Sequence, residues 1–166
     1  MSLKIMLGPL KLFDWGHQVM IQDNIKLSGS LRVAVYNENG ELKTEREVSN
    51  LVVDAGLDFI ASRMAGTSSA VMSHMAIGSD DTAADAGDTT LGSELGRVSI
   101  DSATVTDNAV AYIATFPAGT GTGAVTEAGL FNDATTGDML CRTVFSVINK
   151  AAADSMVITW TVTVSA

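Results

Sequence analysis

The run Met156-Val157-Ile158-Thr159-Trp160-Thr161-Val162-Thr163-Val164 places Ile158, Trp160, Val162 and Val164 on one face and three threonines on the other. A period of two over nine residues is the pattern of a strand with one buried side. Shorter runs of the same kind recur upstream, separated by turns rich in glycine, threonine, asparagine and aspartate. They cover 26–36, 41–53, 72–77, 97–105, 110–116, 125–131 and 139–148. Counted from Lys26, this gives roughly eight strands with short links, which suits an antiparallel arrangement better than alternating β and α units. Asn37-Glu38-Asn39-Gly40 is the sharpest turn signal, because Asn-Gly accepts the positive φ angles of a tight hairpin.

One segment breaks the pattern. Leu57, Ile60, Ala61 and Met64 recur at helical spacing, so a helix of about three turns is expected from Asp54 to near Gly66. Asp54 stands where its carboxylate can accept from the free N–H groups of the first turn. Residues 1–24 carry many apolar side chains without a steady period, interrupted at Gly8-Pro9 and Trp15-Gly16-His17. Two readings stay open for them. They form an arm that packs on another subunit or protein through Phe13 and Trp15, or they supply a first strand or two of the domain's own core. The division adopted is an N-terminal arm over 1–24 and one domain over 25–166. Its expected class is an all-β, antiparallel β-sandwich, jelly-roll-like, with one short helix.

Charge limits the partners. Of the formal −9, residues 1–50 contribute nothing, with six basic and six acidic side chains, while 51–166 carry four basic and thirteen acidic ones. An acidic body repels phosphate backbones, so nucleic acid is not an expected ligand. Nothing approaches the apolar length of a membrane-spanning helix, so no membrane partner is expected. The apolar start, broken by Pro9, Lys11 and Asp14, does not read as a secretory signal and points to synthesis in a cytoplasm.

Chemistry is sparse. The single Cys141 lies in a strand-like run and reads as a small buried hydrophobe. His17 and His74 sit in unrelated settings, and two histidines with one cysteine over 125 positions make a poor zinc set. Ser73, His74 and Asp58 lack the sharp nucleophile turn of a hydrolase. Gly119-Thr120-Gly121-Thr122-Gly123 has neither the lysine nor the following helix of a phosphate loop, and reads as a turn between strands. The loop from Gly78 to Thr90 carries Asp80, Asp81, Asp85 and Asp88 and no basic residue. Calcium is the metal to weigh there, yet the spacing does not match a helix–loop–helix calcium loop. A solvated or partner-facing loop is the better reading. Glu127, if buried, is expected to pair with Arg142 or Arg97. No catalytic, cofactor or metal residues are therefore assigned, and the chain is not expected to be an enzyme.

Four stretches carry a resemblance. They are 50–64 (NLVVDAGLDFIASRM), 72–78 (MSHMAIG), 116–131 (FPAGTGTGAVTEAGLF), and the close from Ile148-Asn149-Lys150 to Thr159-Trp160-Thr161-Val162. Together they resemble small structural proteins of tailed bacteriophages across nearly all of residues 48–164. Proteins of this size and β-rich character are similar to the capsid cement, or decoration, proteins that sit as trimers on phage heads, while relatives often carry a tail-fibre label. The resemblance implies a virion protein on the capsid exterior, a homotrimer partnered by the major capsid protein, with a tail-fibre or baseplate-associated module as the alternative. It carries over no catalytic residues. Phe13 and Trp15 in the arm, with Asp80, Asp81, Asp85 and Asp88 in the loop, are the expected contacts with capsid or neighbouring protomer.

Overall fold

A computed structural model describes residues 25–67 and 70–166. The expected arm over 1–24, with Phe13, Trp15 and His17, lies outside the described residues. Ten strands and one helix follow in the order β1 (Lys26–Tyr36), β2 (Leu42–Ser49), β3 (Leu51–Val52), α1 (Asp54–Met64), β4 (His74–Gly78), β5 (Glu94–Ser99), β6 (Ser102–Thr106), β7 (Ala109–Phe116), β8 (Gly123–Phe131), β9 (Met139–Lys150) and β10 (Ser155–Ser165). They form two five-stranded sheets, β2-β1-β10-β7-β6 and β3-β9-β8-β4-β5. Every pairing is antiparallel. The described residues thus form an all-β sandwich with one short helix.

The sheets face each other across a core that contains Leu31, Met75, Phe116, Leu130, Ile148, Met156, Ile158 and Trp160, all buried. β10 is central to its sheet, between β1 and β7, which is why its alternation is so regular. Ile158, Trp160 and Val162 point into the core, but Val164, at the strand's end, is 43 % exposed. In β4 the four residues Met75 to Gly78 are buried without alternation. The reason is that its sheet is covered on both faces. Behind it, Ala76, Phe131 and Met139 form a second cluster with Val53 and Leu91, beneath α1 and the loop that joins β4 to β5.

Three expectations are corrected. The run 97–105 is two strands, β5 and β6, because the chain leaves one sheet at Ile100-Asp101 and joins the other. The Asp54 side chain does not cap α1: Val53 is the N-cap residue and makes no side-chain bond, while the Asp54 N–H donates to Ala86 O at 2.8 Å. The helical stripe of Leu57, Ile60, Ala61 and Met64 packs on the core only through Ile60. Leu57 and Met64 are 46 % and 80 % exposed, and the face that packs is Gly56 with Phe59 and Ile60. Gly56 decides this orientation, since a Cβ there would lie 2.1 Å from Leu140 O. The hairpin at Asn37–Gly40 forms as expected, with Gly40 at φ 79° and its N–H donating to Asn37 O at 3.0 Å.

Candidate interaction site around the aspartate loop

The loop from Ser79 to Ser93 is held by side chains that arrive from far away in sequence. Glu127 on β8 is fully buried. Its Oε1 accepts from the backbone N–H groups of Ser93 at 2.8 Å and Asp80 at 3.2 Å, and its Oε2 accepts from Gly92 N–H at 3.1 Å. One carboxylate therefore gathers both ends of the loop.

Arg142 on the adjacent strand β9 is the hub. Its Nε donates to Glu127 Oε2 at 3.0 Å, its Nη1 to Asp88 Oδ2 at 2.7 Å, and its Nη2 to Asp80 Oδ2 at 3.3 Å and Thr82 O at 3.2 Å. The guanidinium is 3 % exposed. A charge this deep is tolerable only when paired and fully hydrogen-bonded. The planar fork of arginine suits it to several carboxylates at once.

The electrostatics follow from this geometry. The Thr82 backbone N–H and hydroxyl, with Arg142 beside them, hold the Asp80 carboxyl below its ordinary range. Burial pushes Asp88 up, but the Asp85 N–H and Arg142 outweigh it and the net shift is downward. Burial likewise opposes the charge on Arg142, and its bonds to Asp88 and Glu127 win, so its pKa is raised.

The four loop aspartates consequently divide. Asp80 and Asp88 are half-buried and turned towards Arg142. Asp85 is exposed and shapes the turn, accepting from Gly87 N–H at 2.9 Å. Asp81 is exposed and borders a groove of about 470 Å³ with Ser49, Asn50, Ala83, Arg142 and Thr143. The groove is bordered by Leu51 at the start of β3 and by Arg142, Thr143 and Val144 of β9, the strand with which β3 pairs. Among the described residues no group of three or more His, Cys, Asp or Glu side chains is arranged to hold a metal ion. Within the loop cluster, Arg142 fills the space between the carboxylates.

Other residues raised by the sequence scatter. The His74 ring nitrogens meet the hydroxyls of Ser73 at 2.9 Å and Ser99 at 3.4 Å, while Asp58 lies on α1. Cys141 is fully buried, and burial pushes its thiol pKa well up. The glycine-rich segment links β7 to β8 as a turn between the two sheets. Arg97 pairs with Glu94 and lies 3.8 Å from the centre of the Phe131 ring. No described helix is long and apolar enough to cross a membrane.

A second buried cation escaped the sequence reading. Lys150 is 1 % exposed, and its Nζ donates to Pro117 O at 2.9 Å and Asp154 O at 2.7 Å. It ties the β7–β8 turn to the β9–β10 turn, and burial lowers its pKa. Only its place next to a turn, in Ile148-Asn149-Lys150-Ala151, hinted at such a role. No protein-family model, curated protein or solved structure matches this chain.

Proposed function

We propose that the chain is a capsid cement protein of a tailed bacteriophage, a non-catalytic and cofactor-free virion component that binds the outer head surface and bridges capsomers. The observation that carries this reading is the way the sandwich is built. Its longest acidic loop is clamped to the sheet by Arg142 and Glu127, so a compact body presents a fixed surface. A shell-binding protein needs that rigidity, because every side chain ordered only on binding subtracts from affinity. A fibre shaft would call for repeats or a long coil, and the described residues hold neither.

The jelly-roll-like description belongs to the same reading. It is supported by β10 lying between β1 and β7 and by four passages between the sheets, at β2–β3, β5–β6, β7–β8 and β9–β10. The working assembly is a homotrimer on the major capsid protein. Phe13 and Trp15 serve as apolar anchors and the exposed Asp81 and Asp85 as polar contacts. Many weakly attached copies together brace the head against the pressure of packaged DNA.

Gold-labelled antibody imaging of intact particles, with copies counted per virion, tests the proposal. Label spread over the head at hundreds of copies is the expected result. Label confined to the tail at six to a few dozen copies would overturn it in favour of a fibre or baseplate-associated component.

A further inference from the structure

The first N–H groups of an α-helix find no partner within the helix and must be met from outside it. In α1 the N-cap residue, Val53, makes no side-chain bond. The Asp54 N–H is met instead by the Ala86 carbonyl, at 2.8 Å, from the middle of the Ser79–Ser93 loop. That loop therefore does for α1 what a capping side chain does elsewhere. Eleven residues are too few for a helix to persist in water on propensity alone, so α1 depends on its tertiary contacts.

The placement of Ala86 depends in turn on one carboxylate. Asp88 Oδ2 accepts from the Asp85 N–H at 2.9 Å, and the Asp88 N–H donates to Asp85 O at 3.1 Å, which closes the turn that presents Ala86. The same Oδ2 accepts from Arg142 Nη1 at 2.7 Å, which fixes that turn to β9. Leu91, further along the loop, is 7 % exposed and shares an apolar cluster with Val53, against which Ala55 packs. Loop and helix start are thus joined by a backbone bond and by apolar contact, and an ion pair holds the loop in place beside them.

We propose that the loop is a latched strap: it caps α1 from outside, strap and helix open and close as one unit, and the Asp88–Arg142 pair is the latch. Contiguous parts of a fold open together in this way at a free energy below that of global unfolding. β10 stays outside the unit, because from Met156 to Thr163 it is paired on both edges, with β1 and β7. Leu57 and Met64, the side chains that α1 turns outward, keep their positions only while Arg142 holds Asp88. The device rests on contacts within the sandwich and does not depend on the cement reading.

Native-state hydrogen exchange on the unaltered full-length protein, followed through low urea, gives the first test. The Leu57 amide, which donates to Val53 O at 3.1 Å, reports on α1, and the Gly92 amide, which donates to Glu127 Oε2, reports on the strap. The two should exchange through openings of equal population and equal urea dependence, at least tenfold more populated than the opening at the Trp160 amide. Populations at Leu57 and Gly92 that differ more than tenfold, or a Leu57 opening merged with that of Trp160, would overturn the proposal. The second test is Asp88→Ala in the full chain, which releases the latch while Arg142 keeps Glu127 and Asp80 as partners. Opening at Asp54 and Leu57 should rise at least tenfold and by the same factor, with the Trp160 amide unchanged. Faster exchange at Asp54 alone would show that α1 holds without its cap. An equal rise at Trp160 would show that no separate unit exists, and unchanged rates would show that Asp88 is no latch. Any of these three results sinks the idea.

Discussion

Arg142 and Glu127 stand on neighbouring strands and meet through Nε and Nη2 at 3.0 Å and 2.9 Å from one carboxylate oxygen, with neither side chain more than 3 % exposed. Removing one partner of such a pair leaves the other charge buried without compensation, which costs about 3–5 kcal/mol. Arg142→Ala should therefore destabilise the protein by about that amount in urea unfolding. Amides of the loop from Ser79 to Ser93 should lose protection well before those of β10. A loss below about 1 kcal/mol would mean that the loop is held by its backbone bonds to Glu127 and not by the guanidinium.

Acid should destabilise the protein through carboxylates that the fold shifts downward. Asp133 accepts from Thr135 and Thr136 N–H at 2.9 Å and 3.0 Å, which takes its pKa from 3.8 to about 2. Its folded pKa lies below the unfolded value. The stability it contributes is fully present above the unfolded value and is lost as pH falls through the folded one. Asp80 and Asp88, also shifted downward, act with the same sign. Urea midpoints should thus fall as pH drops below 3.8, with a further decline towards about 2. Asp133→Asn should flatten the lower part of that curve. An unchanged slope would show that Asp133 does not contribute.

What could be read in advance depended on where each residue's partners lie. β1 matches its expected bounds, and β10 extends only one residue past Val164, because each has a buried face that imposes period two on its own sequence. The aspartate loop read as solvated because its counter-cation is 54 and 62 residues away in the chain. Nothing within 78–90 announces Arg142. Glu127 was legible as a buried partner of arginine, but its backbone bonds to Asp80, Gly92 and Ser93 come from tertiary placement alone. The Ile100-Asp101 corner carries neither glycine nor proline, so two strands looked like one.

The helix face was misjudged for a related reason: the residue that fixes it has no side chain. Glycine costs a helix roughly 1 kcal/mol relative to alanine, so propensity alone predicts that Gly56→Ala stabilises. The Leu140 carbonyl in the path of the new Cβ predicts the reverse. Packing should win, because overfilling a close contact typically costs about 1–3 kcal/mol. A lowered Tm in calorimetry is the expected outcome, and a raised one would show that α1 can lift away from β9 without penalty.

Trp160 offers the sharpest separation of packing from hydrogen bonding. It is fully buried in β10, and its Nε1–H donates to Asn50 Oδ1 at 3.0 Å, joining the core to the point where the chain crosses between the sheets. Trp160→Phe keeps an aromatic ring but leaves that oxygen unpaired, which should cost about 1–3 kcal/mol on top of the lost contacts. Trp160→Ala should cost about 3–5 kcal/mol through the cavity. If the hydrogen bond matters as placed, Asn50→Ala should cost much less in the Trp160→Phe background than in the native one. Denaturant unfolding of the two single variants and the double variant measures that difference. Additive losses would mean that the Trp160–Asn50 contact contributes nothing beyond the packing of each residue.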